Sequence, residues 1–66
     1  MKPLKGWLVE IGWDPDRDAY YVDIWSPDAD PNRSPSIWRT FEAEGEAYHY
    51  ARALKDLGAD MEDRLG

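Results

Sequence analysis

The sequence predicts an α+β fold in which one helix packs on one face of a three-stranded antiparallel sheet, in the order β-β-β-α. Three observations lead to this fold class. Apolar and polar residues alternate in three segments, clusters of Pro and Asp separate those segments, and a helical period begins near Ala43. A chain of 66 residues has room for one sheet and one helix, so we expect residues 1–66 to form a single domain.

The first two strands are predicted to form an antiparallel hairpin. Residues 6–13 alternate so that their odd-numbered apolar side chains share one face, and residues 19–26 place their even-numbered apolar side chains on one face. Residues 14–18 connect them as a turn, because proline fixes φ and Asp side chains accept hydrogen bonds from nearby N–H groups.

The second half of the chain predicts a third strand and the helix. Residues 27–35 hold three prolines and form a loop, and residues 36–41 form the third strand. The helix begins at about Ala43 and ends before Gly58, a favourable C-cap, while residues 60–65 indicate a short helical turn. The predicted core consists of Val9, Ile11, Tyr20, Val22, Ile24, Phe41, Ala47, Tyr50, Ala51, Leu54 and Leu57.

Composition excludes several classes of protein. The chain has no cysteine, which removes disulfides, thiolate metal sites and cysteine nucleophiles, and which fits a reducing cytoplasm. No apolar run approaches the roughly 18 residues of a membrane span, and the N-terminus lacks the apolar stretch of a signal peptide. We therefore expect a cytoplasmic protein.

The acidic turn shows a partial calcium motif that then fails. Asp14, Asp16 and Asp18 have the spacing of the first ligands of an EF-hand loop, but the sixth position is Ala19 and the twelfth is Trp25. A calcium loop needs Gly and a bidentate Glu at those positions. We expect no metal site and no cofactor.

Acidic residues are concentrated in residues 10–46. This segment holds ten acids against three bases, a local charge of −7 in a chain whose net charge is −6. Large aromatic residues are interleaved with these acids, which distinguishes the segment from a disordered acidic tail. A folded surface of one sign attracts a basic partner, and solubility alone is the alternative explanation.

The sheet face away from the helix is the second candidate feature, and strand parity is expected to place on it Leu8, Glu10, Tyr21, Asp23, Trp25 and Trp38. Tyr and Trp residues on this face are typical of binding surfaces, and burial in a homodimer is the alternative, so the expected state is a monomer or a homodimer. The expected partner is a larger protein with a basic nucleic-acid-binding groove, and not nucleic acid itself. The candidate partner-binding residues are acids that stand in for phosphates, with two aromatic anchors: Asp14, Asp16, Asp18, Asp28, Asp30, Glu44, Tyr21 and Trp25.

An enzyme is not expected. His49 is the only histidine, and the sequence contains no Ser-His-acid order, no phosphate-binding glycine loop and no cluster of metal ligands. A partly exposed helical histidine accounts for His49 without any catalytic role.

In size, charge and architecture, the chain resembles phage-encoded anti-CRISPR proteins, which are short, acidic, single-domain inhibitors of bacterial antiviral defence. Some of them are DNA mimics that block the DNA-binding cleft of a CRISPR effector. The resemblance implies an inhibitor that acts in the cytoplasm of a bacterial host. These proteins share no common motif, so the resemblance assigns no functional residue.

A second resemblance is to the HicB-like antitoxins, which contain a β-β-β-α unit. Ser26-Pro27-Asp28 and the segment 51–54 are similar in placement to the loop and helix of that family. The Gly-Cys stretch usual after the loop is absent, and no DNA-binding segment follows the helix. This resemblance implies an antitoxin-like or regulatory interaction domain that binds through its open sheet face.

Overall fold

The computed structural model describes residues 2–66, and in this range the chain forms four strands and one helix. Strand β1 spans Leu8–Asp14, β2 spans Ala19–Trp25 and β3 spans Ile37–Phe41. Helix α1 spans Glu44–Asp56, and β4 spans Asp60–Asp63. The strands form one sheet in the order β3-β2-β1-β4. The α+β class with one helix is confirmed, and the predicted three-stranded antiparallel sheet is corrected to a mixed sheet of four strands.

In the β1–β2 hairpin, the apolar side chains point to the face of the sheet that the sequence predicted. Val9 lies opposite Ile24 and Ile11 lies opposite Val22, and all four side chains are buried beneath α1. β-branched residues suit this position because they pack well on a pleated surface.

The helix begins directly after β3 and covers the same face. Phe41 at the end of β3 lies opposite Tyr20, so α1 starts at the end of the sheet where β1 turns into β2. Ala47 and Ala51 have no exposed surface, and their small side chains allow the helix to approach the strands closely. The acidic first turn, with Glu44 and Glu46, is favourable to the helix dipole.

Most of the predicted core is confirmed, with the aromatic residues and Leu54 only partly buried. Leu57 is an exception, because it is 45% exposed. It occupies the C-cap of α1, where the helix leaves the sheet, and not an inward position of the last turn. Ala59 is buried in its place and was not predicted.

The last strand corrects the prediction of a terminal helical turn in residues 60–65. Gly58 has a φ of 113°, which reverses the chain after the helix. The N–H of Asp60 then donates to the carbonyl of Trp7 at 2.9 Å, and the N–H of Arg64 donates to that of Ile11 at 2.9 Å. β4 therefore runs parallel to β1.

Candidate binding surface

The sheet face opposite α1 carries a line of acidic side chains across its strands. Glu62 on β4 lies beside Glu10 on β1, Glu10 lies opposite Asp23 on β2, and Asp23 lies opposite Trp38 on β3. Paired residues of neighbouring strands point to the same face of a sheet. We call Glu62, Glu10 and Asp23 the carboxylate row, and Trp38 stands at its end.

Only one cation lies within ion-pair distance of the row among residues 2–66. Arg64 pairs with Glu62 at 3.0 Å through Nη2 and with Glu10 at 3.6 Å through Nε. Asp23 has no such pair, and burial together with the nearby Glu10 carboxylate raises its pKa above the ordinary value. Like charges on facing residues destabilise a sheet, so the Glu10–Asp23 pair is held at a cost in folding free energy, whereas Arg64 offsets the repulsion between Glu62 and Glu10.

Tyr21 supports the row and does not project freely from it. Its hydroxyl donates a 2.7 Å hydrogen bond to Oε2 of Glu10. Its ring lies over Gly12, where a Cβ would collide with it. Burial, followed by the bond with Glu10, raises the pKa of Tyr21. Tyr21 thus fixes the Glu10 carboxylate.

Trp38 is the exposed aromatic residue of this face. It is 51% exposed, and the guanidinium of Arg17 lies 4.5 Å from its ring centroid. Arg17 also pairs with Asp14 at 3.6 Å. A shallow depression of about 350 Å³ lies between these groups and the Asp23 end of the row. An incoming cation that displaces Arg17 would meet both a carboxylate and an aromatic ring here.

Trp25 is not the exposed anchor that the sequence predicted. Its side chain is on the open face but only 7% exposed, and its Nε1–H donates to the carbonyl of Arg33 at 3.0 Å. The long β2–β3 loop folds back over it. Trp25 therefore holds the loop to the sheet.

The remaining predicted acids fall into two groups. Asp14 and Asp30 stabilise their own turns, since Asp14 accepts from the N–H of Asp16 at 3.0 Å and Asp30 accepts from that of Asn32 at 2.9 Å. Asp30 also pairs with Arg33 at 3.8 Å. The other four side chains are exposed and form no hydrogen bond or ion pair with residues 2–66: Asp16, Asp18, Asp28 and Glu44.

The strand register places the exposed acids at both ends of the sheet. The turn 15–18 and the start of α1 lie at one end, and the β2–β3 loop lies at the other. The carboxylate row crosses the face between them. Glu10 and Asp23 were expected on this face, but Glu62 and Arg64 were missed because β4 was not predicted.

The surface offers charge and hydrogen-bond acceptors to a partner. Across residues 2–66, no group of three His, Cys, Asp or Glu side chains has the arrangement of a metal site. His49 is exposed on α1, away from the row. Within the described residues, no helix has the length and apolar character needed to cross a membrane.

Comparison with known proteins identifies no relative: no protein-family model, curated protein or solved structure matches this chain.

Proposed function

We propose that this chain is a non-enzymatic acidic inhibitor that binds a basic, nucleic-acid-binding site on a larger protein. The observation that carries the proposal is the carboxylate row, three acids on adjacent strands of one sheet face. Carboxylates fixed on a rigid sheet can occupy the positions at which a Lys- and Arg-lined groove binds phosphates. The exposed acids at both ends of the sheet extend the same charge.

The position of the row favours a role for these acids in binding a partner over a role in solubility alone. Solubility needs only scattered surface charges, which cost the fold little. The row instead sets like charges on facing residues, and Asp23 is partly buried with a raised pKa. A stability cost that a solubilising surface does not require supports a role in recognition.

The most specific form of this proposal is an anti-CRISPR protein that blocks target-DNA binding by a CRISPR effector. It is supported by the small size of the chain and its net charge of −6. Such a protein would be phage-encoded, act in the bacterial cytoplasm and bind no nucleic acid itself.

A competition assay tests the proposal directly. Purified CRISPR effector complexes are bound to fluorescent target duplex DNA, and the chain is titrated in at several salt concentrations. We expect it to displace the DNA, with a potency that falls as salt rises. The double variant Asp23→Asn/Glu62→Gln should compete at least about tenfold less well, since two interfacial charge contacts are lost.

A matched control removes the same charge elsewhere. Asp56→Asn/Glu42→Gln has the same net charge but alters α1 and the segment before it, off the row. It should compete nearly as well as the unmodified chain. Equal potency of both double variants would remove the row from the contact, and failure to displace DNA from any effector would reject the DNA-mimic form.

A second candidate is an antitoxin-like or regulatory interaction domain that binds through the open face by apolar contact. The exposure of Trp38, at 51%, favours it. In this case Trp38→Ala would weaken partner binding more than the double charge variant, and affinity would change little with salt. Trp38 is the better probe because Trp25 is buried.

A further inference from the structure

β3 is an open edge of the sheet. It ends the order β3-β2-β1-β4, and no backbone group of residues 2–66 bonds to its outer side. One carbonyl of the strand, that of Trp38, accepts a 2.9 Å hydrogen bond from Nη1 of Arg39. Ile37 and Trp38 are 38% and 51% exposed. An edge strand presents unpaired N–H and C=O groups at every second residue, which makes it a template for another strand.

The opposite edge is protected and β3 is not. β4 has four residues, three of which are acidic, and short charged edges resist pairing with other chains. β3 contains Ile, Trp, Thr and Phe, which favour strands, and Arg39 is its one charged residue. The two edges therefore differ in their capacity to accept a strand.

A groove on the helix side of the sheet lies between α1 and the end of β3, which it meets at Phe41. It measures about 540 Å³ and is lined by Phe41, Gly45, Glu46, His49, Tyr50 and Ala53. The rings of Phe41 and Tyr50 are 5.4 Å apart. Gly45 and Ala53 leave room on the helix side, and a Cβ on Gly45 would meet nothing within 4 Å.

We infer that β3 and this groove receive an extended, basic segment of a partner protein, which adds to the sheet as a fifth strand. Alternate side chains of such a strand point to the same side, so an apolar side chain beside Phe41 enters the groove while the backbone bonds to β3. The basic character follows from charge complementarity. Glu42, Glu44 and Glu46 lie at the end of β3 and beside the groove, against Arg39 alone on the strand.

Two other occupants fit less well. Two copies of this chain would each bring a net charge of −6, and the symmetric antiparallel pairing with Trp38 opposite Thr40 sets two Arg39 side chains against each other. At both ends of the described range, residues 2–66, the backbone bonds to elements other than β3. The N–H of Leu4 donates to the carbonyl of Leu57, and that of Gly66 donates to Asp63.

The experiment is a selection from phage-displayed random short peptides on the immobilised full chain, followed by anisotropy measurements with a synthetic labelled copy of an enriched peptide. We expect enriched peptides to alternate apolar residues with Lys or Arg. Gly45→Trp fills the groove and should weaken binding at least about tenfold, as should Ala53→Trp at its other end. Gly45→Ala is the matched control and should bind normally. Circular dichroism and urea unfolding check that each variant is folded.

Backbone methylation provides the test of strand addition itself. N-methylation of peptide amides of one parity should weaken binding at least about tenfold, while methylation of the other parity should have little effect. The inference goes beyond the proposed function and fails separately from it, since Ala53→Trp, which lies off the carboxylate row, should leave the displacement of DNA intact.

Three outcomes would overturn the inference. The first is that no peptide is enriched, and the second is that binding is indifferent to both groove-filling variants and to methylation. The third is sedimentation of the chain as a dimer that Arg39→Pro dissociates, which would make a second copy the occupant of β3.

Discussion

Asp23 is the residue whose surroundings most oppose its charge. Partial burial and the facing Glu10 raise its pKa, and Arg17 opposes them only in part. The folded chain therefore binds a proton at Asp23 more readily than the unfolded chain does. A raised carboxyl pKa makes an unfavourable contribution at neutral pH, which disappears as the pH falls through the raised pKa towards the ordinary value.

Asp23→Asn is expected to stabilise the fold by about 0.2–1 kcal/mol at pH 7, the range for a facing pair of like charges. The gain should shrink as the pH falls into the acid range, because the Asp23 carboxyl of the unmodified chain then takes up a proton. Urea unfolding of both chains over a pH series measures it. Asp16→Asn, which alters an exposed turn residue, should show a smaller gain at pH 7. A gain that grew with acidity would contradict the assigned environment of Asp23.

Gly12 is required by the position of Tyr21. A methyl group at this position would collide with the Tyr21 ring and displace its hydroxyl from Glu10. Gly12→Ala should therefore lower the free energy of unfolding by about 1–3 kcal/mol, the usual cost of overpacking.

Gly45→Ala is the matched control for Gly12→Ala. It adds the same methyl group in open space within a helix and should raise stability by about 0.5–1 kcal/mol. Urea unfolding compares the two variants. Equal free energies of unfolding for the two variants would mean that the Tyr21 ring does not lie over Gly12.

At the scale of elements, β4 depends on the reversal of the chain at Gly58. This glycine has a φ of 113°, and a Cβ there would collide with the Lys2 side chain and approach the Lys5 nitrogen to 3.1 Å. The strand is further held by Asp63, which accepts a hydrogen bond from the Tyr48 hydroxyl. That bond and those from the backbone of Leu65 and Gly66 lower the pKa of Asp63.

Gly58→Ala is expected to cost about 1–3 kcal/mol and to release β4 first, because the strain falls on the connection between α1 and β4. Hydrogen exchange should accelerate at the amides of Asp60 and Arg64, which bond to the carbonyls of Trp7, just before β1, and of Ile11 in β1. The amide of Val22 in the central strand reports global unfolding and should change less. Uniform acceleration at all three amides would show that β4 is not a separate element.

The three antiparallel strands and the helix were predictable because their periodicity and turn residues are strong local signals. β4 was not, since Asp60–Asp63 has no alternation of apolar and polar residues and three of its four positions are acids. Its strand state comes from pairing with β1, a non-local contact. The burial of Trp25 was missed for a similar reason, because the path of the β2–β3 loop is set by a hydrogen bond across eight residues.

The candidate surface was predictable only in part for the same reason. Glu10 and Asp23 were assigned to the open face by strand parity alone. Their neighbour Glu62 required the parallel register of β4, and the engagement of Tyr21 required the approach of its ring to Gly12. Turn acids such as Asp14 were predicted to bind a partner because several acids are close together in the sequence, although Asp14 also accepts a hydrogen bond within its own turn.

At the scale of the whole molecule, charge acts over the entire fold. The Cα radius of gyration is 11.4 Å and the net charge is −6. The Debye length is about 30 Å at 0.01 M ionic strength and about 8 Å at 0.15 M. Every charge therefore repels or attracts every other at low salt, while at physiological salt only neighbours interact.

We expect the free energy of unfolding to rise with sodium chloride between these two ionic strengths by on the order of 1 kcal/mol, comparable to one or two exposed charge pairs. Urea unfolding at fixed pH measures it. A decrease with salt would mean that the ion pairs of Arg64 and Arg17 outweigh the net repulsion.

The two double charge variants separate the local row from the global field. Asp23→Asn/Glu62→Gln and Asp56→Asn/Glu42→Gln have the same net charge, so a purely global effect would give both the same reduced salt dependence. If repulsion within the row is the main destabilising charge effect, the free energy of unfolding should depend clearly less on salt in the first variant than in the second. The reason is that facing carboxylates interact most strongly at short range. A flatter salt response for the row variant, together with its loss of DNA displacement, would tie the same carboxylates to both the destabilisation and the binding. Identical salt dependences for the two variants would mean that the acids act together as one diffuse negative charge, and that no face of the sheet contributes more than another.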